Sequence, residues 1–591
     1  MRYTLICIIL LSSFNLQARN LFPEDYHLGG DDYTDAIQEC IDIASQTGQK
    51  VELKGESYKV TGGKLKLRSN VTLFSQVGSR VYTCDRNNYK SIFYQDLGDL
   101  IQNINIKGIY FDQSQEADSP YFERINYFVI LLYRAQNVTI ENCRFIHVGT
   151  NCIVINGPEC TGSKILSNDI KFVRIQSAGH YDVSSIYITD GNHRIIKNRI
   201  YNDGKEVNRQ GGGIETHGPY GVVKGNNIFN CYNAINVVSS DNVNPRGFNR
   251  IISRNISTDC YNFAILWSIS GQQIKNVKIK NNIATGLRTA VGVQPGNELA
   301  GSIDEILITK NKFVGAYHEF VNEVNANMQE HLLKYEAIAL HNHGHTKICV
   351  AKNLFYDFPA ILVDVNAYNK DVCAELAFIK NQVINAYNSK LLEPLLLQDK
   401  FSLFCVGLNA RLVARDNVIS VQQLDSSISP TLIYGYKEGH IELSNNQFPE
   451  LDISISRANT INIDSRICSA EYKAREFTGV TPVSLNKGDR ILKDGDVYTC
   501  TQQGTNKTVV LSNGILHGGR EMYLTCDNSG SLQLGDWILI AGEGISQQAR
   551  QVIAIVEGRV YLQDVNCSLR LGEKQHLSKI AYFPYKLEKS L

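Results

Sequence analysis

ILSNDI (165–170) returns as IIKNRI (195–200), VKGNNI (223–228), ITKNKF (308–313), VAKNLF (350–355) and FIKNQV (378–383). Each copy reads apolar, two variable residues, asparagine, one variable residue, apolar. The asparagines are Asn168, Asn198, Asn226, Asn311, Asn353 and Asn381. Arg254 and Asn282 fall near the same register in the interval, and Asn446 in LSNNQF carries the series on. From Asn168 the successive steps are 30, 28, 28, 28 and 29 residues. A fixed period of this length marks a chain built from stacked units, none of which buries its apolar face alone.

Each unit carries a second short strand. CIVIN (152–156), SIYIT (185–189), GIETH (213–217), AINVV (234–238), AILWS (264–268) and the strand through Val291 and Val293 alternate in and out between glycine and asparagine turns. The segments are too short and too β-branched for a helical solenoid. The pattern predicts an all-β chain, a right-handed single-stranded parallel β-helix. Its asparagines are expected at turns, where the side chain bonds local backbone and tolerates left-handed geometry. Stacked on one corner, they can also bond each other.

The stretch from Gly30 to Val60 starts with acidic residues. A helix is expected to follow, with Ala36, Ile37, Cys40, Ile41 and Ala44 on one face, and then two strands carrying Val51, Leu53, Gly55, Tyr58 and Val60. This arrangement resembles the N-terminal cap of the pectate-lyase-like β-helix superfamily, and the resemblance extends as architecture over roughly residues 28 to 470. It implies an enzyme acting on polysaccharides, either a lyase for uronic-acid chains or a glycoside hydrolase. Beyond residue 470 the asparagine repeat stops. GDRILKDGDVYTC (488–500), SLQLGDWILIAG (531–542) and RQVIAIVEGRVYLQDV (550–565) read as strand pairs with tight turns. The expected organisation is a signal peptide (1–18), a cap with the first coils (19–100), the β-helix (101–474) and a small β domain (475–591), whose default role is to cap the last coil.

The first residues, MRYTLICIILLSSFNLQARN, join a positive end, an apolar core and a small-residue cleavage site. This predicts export, with a mature chain from Arg19. No later run reaches the roughly 18 apolar residues that span a bilayer. With 59 basic and 59 acidic residues, no global charge points to nucleic acid or a membrane surface. Fifteen cysteines are present, without metal-ligand spacing, and buried free thiols are expected over a disulfide framework. A monomer working on an acidic polysaccharide is the expected state.

GGGIETHG (211–218) puts Glu215 and His217 on one side of a strand. Aligning Ile153, Ile186, Ile214, Ile235, Ile265 and Val291 as inward residues leaves Tyr187, Glu215 and Asn236 stacked outward on adjacent coils, with His217 beside Thr189. Flanking turns add His180, Asp190, His193, Arg194, Lys205, Arg209 and Arg246, the densest titratable cluster in the chain. HNHGH (341–345) is a rival cluster, with Asp364 as its nearby carboxylate.

For β-elimination a base must take the C5 proton of a uronate, an acid must protonate the leaving oxygen, and a cation or donor must hold the developing enolate. His217 or Lys205 suits the base, Tyr187 the acid or both roles in turn. Arg209 and Asn236 suit the uronate carboxylate, with His180, His193 and Arg246 as further substrate contacts. Glu215 suits the orientation of His217, or calcium ligation with Asn236 and Asp190. Hydrolysis would need a second carboxyl beside Glu215, for which Asp190 is nearest. A non-enzymatic glycan-binding or adhesion β-helix is the third possibility. The cationic turns, on a chain with no net charge, favour a polyanion such as a glycosaminoglycan, pectin or alginate.

Overall fold

The computed structural model describes residues 19–447 except 62, 84–90, 97, 114–127, 149–150, 173–183, 190, 203–211, 240–248, 269–271, 295–300, 316–335, 343, 359–360, 368–371, 387–401, 408, 422–430 and 436–438; beyond 447 it describes strand backbone and little else. Helix α1, Thr34–Thr47, buries Ala36, Ile37, Cys40, Ile41 and Ala44, the face expected from their spacing. Lys50–Glu52 and Ser57–Lys59 follow, and this stretch buries Val51, Leu53, Tyr58 and Val60.

From there the chain winds through three parallel sheets, one short strand in each per coil. One coil runs through Arg194–Ile196 in the first sheet, Arg199–Asn202 in the second and Gly212–Thr216 in the third. The fold is a right-handed parallel β-helix. Its interior is a column of stacked isoleucines and valines, with phenylalanines stacked from Phe313 through Phe355 to Phe378 at centroid distances of 5.5 and 5.7 Å. Strands this short cannot bury enough surface singly, so each coil is stabilised by the two beside it.

The repeated asparagines occupy the corner between the first and second sheets, and they point inward. Asn168, Asn198, Asn226, Asn255, Asn282, Asn311, Asn353, Asn381, Asn417 and Asn446 are each 2% exposed or less. The side-chain oxygen of each rung from Asn198 onward accepts from the backbone N–H and the side-chain amide of the preceding rung; Asn198 Oδ1 takes both from Asn168 at 2.9 Å. The amide also donates to a first-sheet carbonyl, as Asn198 Nδ2 does to Ile165 at 2.9 Å. Two expectations are corrected here. The rung between Asn226 and Asn282 is Asn255, not Arg254. The left-handed residue is the one before each rung (Ser167, Lys197, Arg254, Lys310), so the recurring amide serves the ladder and its neighbour makes the turn.

Described cysteines are free thiols, most of them buried, as expected. Burial pushes the Cys143 thiol up to about 12. Among the described residues no helix is long and apolar enough to cross a membrane.

The chain folds as two compact units, one of residues 1–449 with 462–470 and another of 450–461 with 471–591. From Arg490 onward the described strands of the second unit pair antiparallel. Arg490–Lys493 pairs with Asp496–Gln502, and Trp537–Gly542 pairs with Ile545–Val556, which pairs in turn with Arg559–Leu562.

Candidate functional site

The third sheet carries the site. Its relevant strands are β1 (Ile153–Asn156), β2 (Ser184–Ile188), β3 (Gly212–Thr216), β4 (Asn233–Ser239), β5 (Asn262–Ser268), β6 (Thr289–Gln294), β7 (Glu336–Asn342) and β8 (Ile361–Ala367). Strand register aligns Tyr187, Glu215 and Asn236 on β2, β3 and β4, as expected from the sequence. On β5 the expected alignment slips by one. Ala264, not Ile265, pairs with Ile235, so Ile265 and Trp267 belong to the outward rows and Leu266 points in. Trp267 is 37% exposed.

Glu215 and His217 are each 4% exposed, so this is not the solvated face of a sheet. His217 Nε2 lies 2.8 Å from Glu215 Oε1, and Ser184 Oγ donates to Glu215 Oε2 at 2.8 Å. Asn236 also bonds the carboxylate. Burial pushes the Glu215 carboxyl up, but the bonds from His217, Ser184 and Asn236 outweigh it and hold the group below its ordinary value. Glu215 is therefore an anion at neutral pH. His217 Nδ1 is buried, with no hydrogen-bond partner. The half-buried Tyr187 ring packs against the imidazole, with centroids 4.8 Å apart and planes tilted by 45°.

The glycines of GGGIETHG make this arrangement possible by leaving space. A Cβ on Gly212 would meet Ser184 Oγ at 2.5 Å and Asn236 Nδ2 at 3.3 Å, displacing two of the three groups that bond Glu215. Ser184 stands three residues before Tyr187, where flat alternation would put it on the opposite face. Its bond to Glu215 shows that the start of the strand turns toward the site. Asn233, Asn262, Thr289 and Glu336 share this column. Sequence alternation missed the column because it assumes an unbent strand.

Arg250 is a second residue that sequence reasoning missed. Buried at the start of a first-sheet strand, its guanidinium donates to the carbonyls of His217, Gly218 at 2.8 Å and Val238 at 3.2 Å. It ties down the ends of β3 and β4, and burial lowers its pKa to about 9. The signal for it was slight: a basic residue in the apolar repeat RIIS.

Other expected contacts do not converge here. His193 is completely buried, its ring so close to Gly221 that a Cβ there would meet Nε2 at 2.1 Å; it fills a corner instead of facing substrate. Arg194 is exposed on the first sheet, not the third. His180, Asp190, Lys205, Arg209 and Arg246 lie outside the described residues. For calcium, both Glu215 oxygens face protein hydrogen-bond donors, the surroundings of a satisfied anion and not of a cation ligand.

The HNHGH cluster is more acidic than expected. His341 Nε2 stands 3.0 Å from Asp364 Oδ2 and 3.4 Å from Glu336 Oε2. His345 is exposed and its Nδ1 accepts from the backbone N–H of Cys373 at 3.3 Å; His343 lies outside the described residues.

Residues 128–313 match the family model described as right handed beta helix region. No curated protein matches. Solved structures with the same fold include the tailspike protein of E. coli bacteriophage HK620 in complex with a pentasaccharide, at 14% identity over 95% of this chain and 93% of that one, with a TM-score of 0.53. A mutant of the same tailspike in complex with a hexasaccharide matches at 13% identity over 95% and 93%, with a TM-score of 0.52. This chain thus has the architecture of the parallel β-helix superfamily, at a sequence distance that establishes the fold and no more.

Proposed function

We propose that this protein is an exported enzyme that cleaves an acidic, uronate-containing polysaccharide by β-elimination. The observation that carries the reading is Tyr187, the more exposed member of the cluster, lying on a buried His217–Glu215 pair. The C5 proton leaves to a base, the C4–O bond breaks, a C4=C5 double bond forms, and the departing oxygen takes a proton. In this reading Tyr187 meets the sugar, as acid or as base and acid in turn. His217 lies beneath its ring, with Glu215 holding the imidazole. An anionic Glu215 suits orientation of His217 and is a poor proton donor, which weighs against a general-acid role in hydrolysis. Export rests on the N-terminal segment, and preference for a polyanion rests on Arg209, Lys205 and Arg246 in the segments that flank the strand in sequence.

A second reading, glycan binding with or without hydrolysis, has its own support. The tailspike structures of the same fold hold a pentasaccharide and a hexasaccharide. One panel of uronate polymers and neutral glycans distinguishes the readings. A lyase releases an unsaturated, ultraviolet-absorbing product, a hydrolase gives only new reducing ends, and a binder gives neither. Reducing ends without ultraviolet absorbance on every substrate cleaved would end the lyase assignment.

A further inference from the structure

Independently of the glycan reading, we infer that Glu336, His341 and Asp364 bind one divalent transition-metal ion of the zinc or manganese type. The three residues come from β7 and β8, on the face of the sheet that carries Glu215 and His217 four strands earlier, about 19 Å at the usual ~4.8 Å strand spacing. Their donor atoms all lie within 4.8 Å of one another. His341 Nε2 stands 3.0 Å from Asp364 Oδ2 and 3.4 Å from Glu336 Oε2. Two donors bound to one ion at about 2.1 Å stand about 3.0 Å apart in an octahedral shell and about 3.4 Å apart in a tetrahedral one. The two His341 separations match such edges, so the imidazole and either carboxylate can share an ion with little movement.

The donor set selects the metal. Calcium takes oxygen ligands almost exclusively, whereas one imidazole and two carboxylates suit zinc or manganese. Three protein ligands leave a position for water or a ligand, the arrangement of reactive rather than purely structural zinc sites. The side chains of Glu336 and Asp364 are 4% and 6% exposed and that of His341 12%, so the donors are held by packing. Glu336 reaches the site by the same turned strand start that brings Ser184 to Glu215.

The test uses the full chain, stripped with chelator and titrated calorimetrically with zinc, manganese and calcium chlorides. One zinc or manganese ion per chain is expected, with affinity falling 10-fold or more in Glu336→Gln, Asp364→Asn and His341→Ala and unchanged in Glu215→Gln. A rise in melting temperature with the ion, lost in the two isosteric variants, reports the same site even where His341→Ala does not fold. No stoichiometric binding, binding indifferent to these variants, or calcium binding more tightly than zinc and manganese would each overturn the inference.

Discussion

The Glu215 and Glu336 regions share a scaffold and differ in how they satisfy charge. Strand register puts His217 and His341 in one outward row, and Gly212 and Glu336 in one strand-start column. At β3 that column holds glycine, and the vacated space admits Ser184 and Asn236 as donors to a single carboxylate. At β7 it holds a second carboxylate, and two acids converge on one imidazole. Donors around an anion stabilise it and orient its histidine; acids around a histidine make a cation site. The strand-start column and the outward row, in which Glu215 and Asn236 give way to Ala339 and Asp364, together separate the two arrangements.

The largest expected effect separates the regions by turnover. Tyr187→Phe and His217→Ala should each lower cleavage of the active polymer by about 10²- to 10⁴-fold, the contribution of a positioned acid or base. Asp364→Asn on the same assay should fall outside that range, and an equal loss would make the two regions one machine. Arg250→Met comes next. It leaves three strand-end carbonyls without their donor, at about 1–3 kcal/mol for each buried group left unmade, partly offset by removing a buried charge. Chemical denaturation should show a loss of stability, and turnover should fall because the His217 carbonyl loses its anchor while its N–H keeps only the bond to Ile188.

Gly212→Ala tests the strand-start column directly. It should cost about 1–3 kcal/mol by overpacking and reduce turnover through loss of the Ser184 bond. Unchanged melting and kinetics would remove the explanation offered for the glycine run. Glu215→Gln has a pH signature. The folded-state carboxyl titrates below its ordinary value, so its stabilising contribution is complete above about pH 4.3 and fades as pH falls through the folded value. The melting-temperature gap between wild type and this variant should shrink with acidification; a gap that widens would contradict the anionic assignment. Trp267→Ala should be smallest in stability, within about 0.5 kcal/mol, while weakening binding of long oligosaccharides that span β3 to β7.

The coil architecture was legible because asparagine and isoleucine recur at a period that only stacking explains. The errors have local causes. Arg254 looked like the missing rung because it stands beside Asn255, and only the backbone shows that the preceding position takes the left-handed turn. Asn417 escaped because the step from Asn381 is 36 residues, outside the regular interval. Apolar alternation alone turns Ile265 inward, whereas Ala264 is the smaller inward residue and Ile265 packs on the outer face. Of the candidate site, the Tyr187–Glu215–Asn236 stack followed from alternation. Ser184, Arg250 and Glu336 did not, since each reaches its partner by a bend or from another sheet.

The asparagine ladder has a consequence for how such a chain can change. Because each rung bonds the next, the corner it occupies tolerates no slippage, and length can vary only elsewhere in the coil. The steps from Asn311 to Asn353 and from Asn381 to Asn417 are 42 and 36 residues, against 27 to 30 for the other steps. The stretches between the second- and third-sheet strands in those coils, from Gly315 to Glu336 and from Ala386 to Ser402, are long in sequence. The ladder thus acts as a ruler: sequence length can grow between the second- and third-sheet strands while the rung-to-rung spacing of the coils stays fixed.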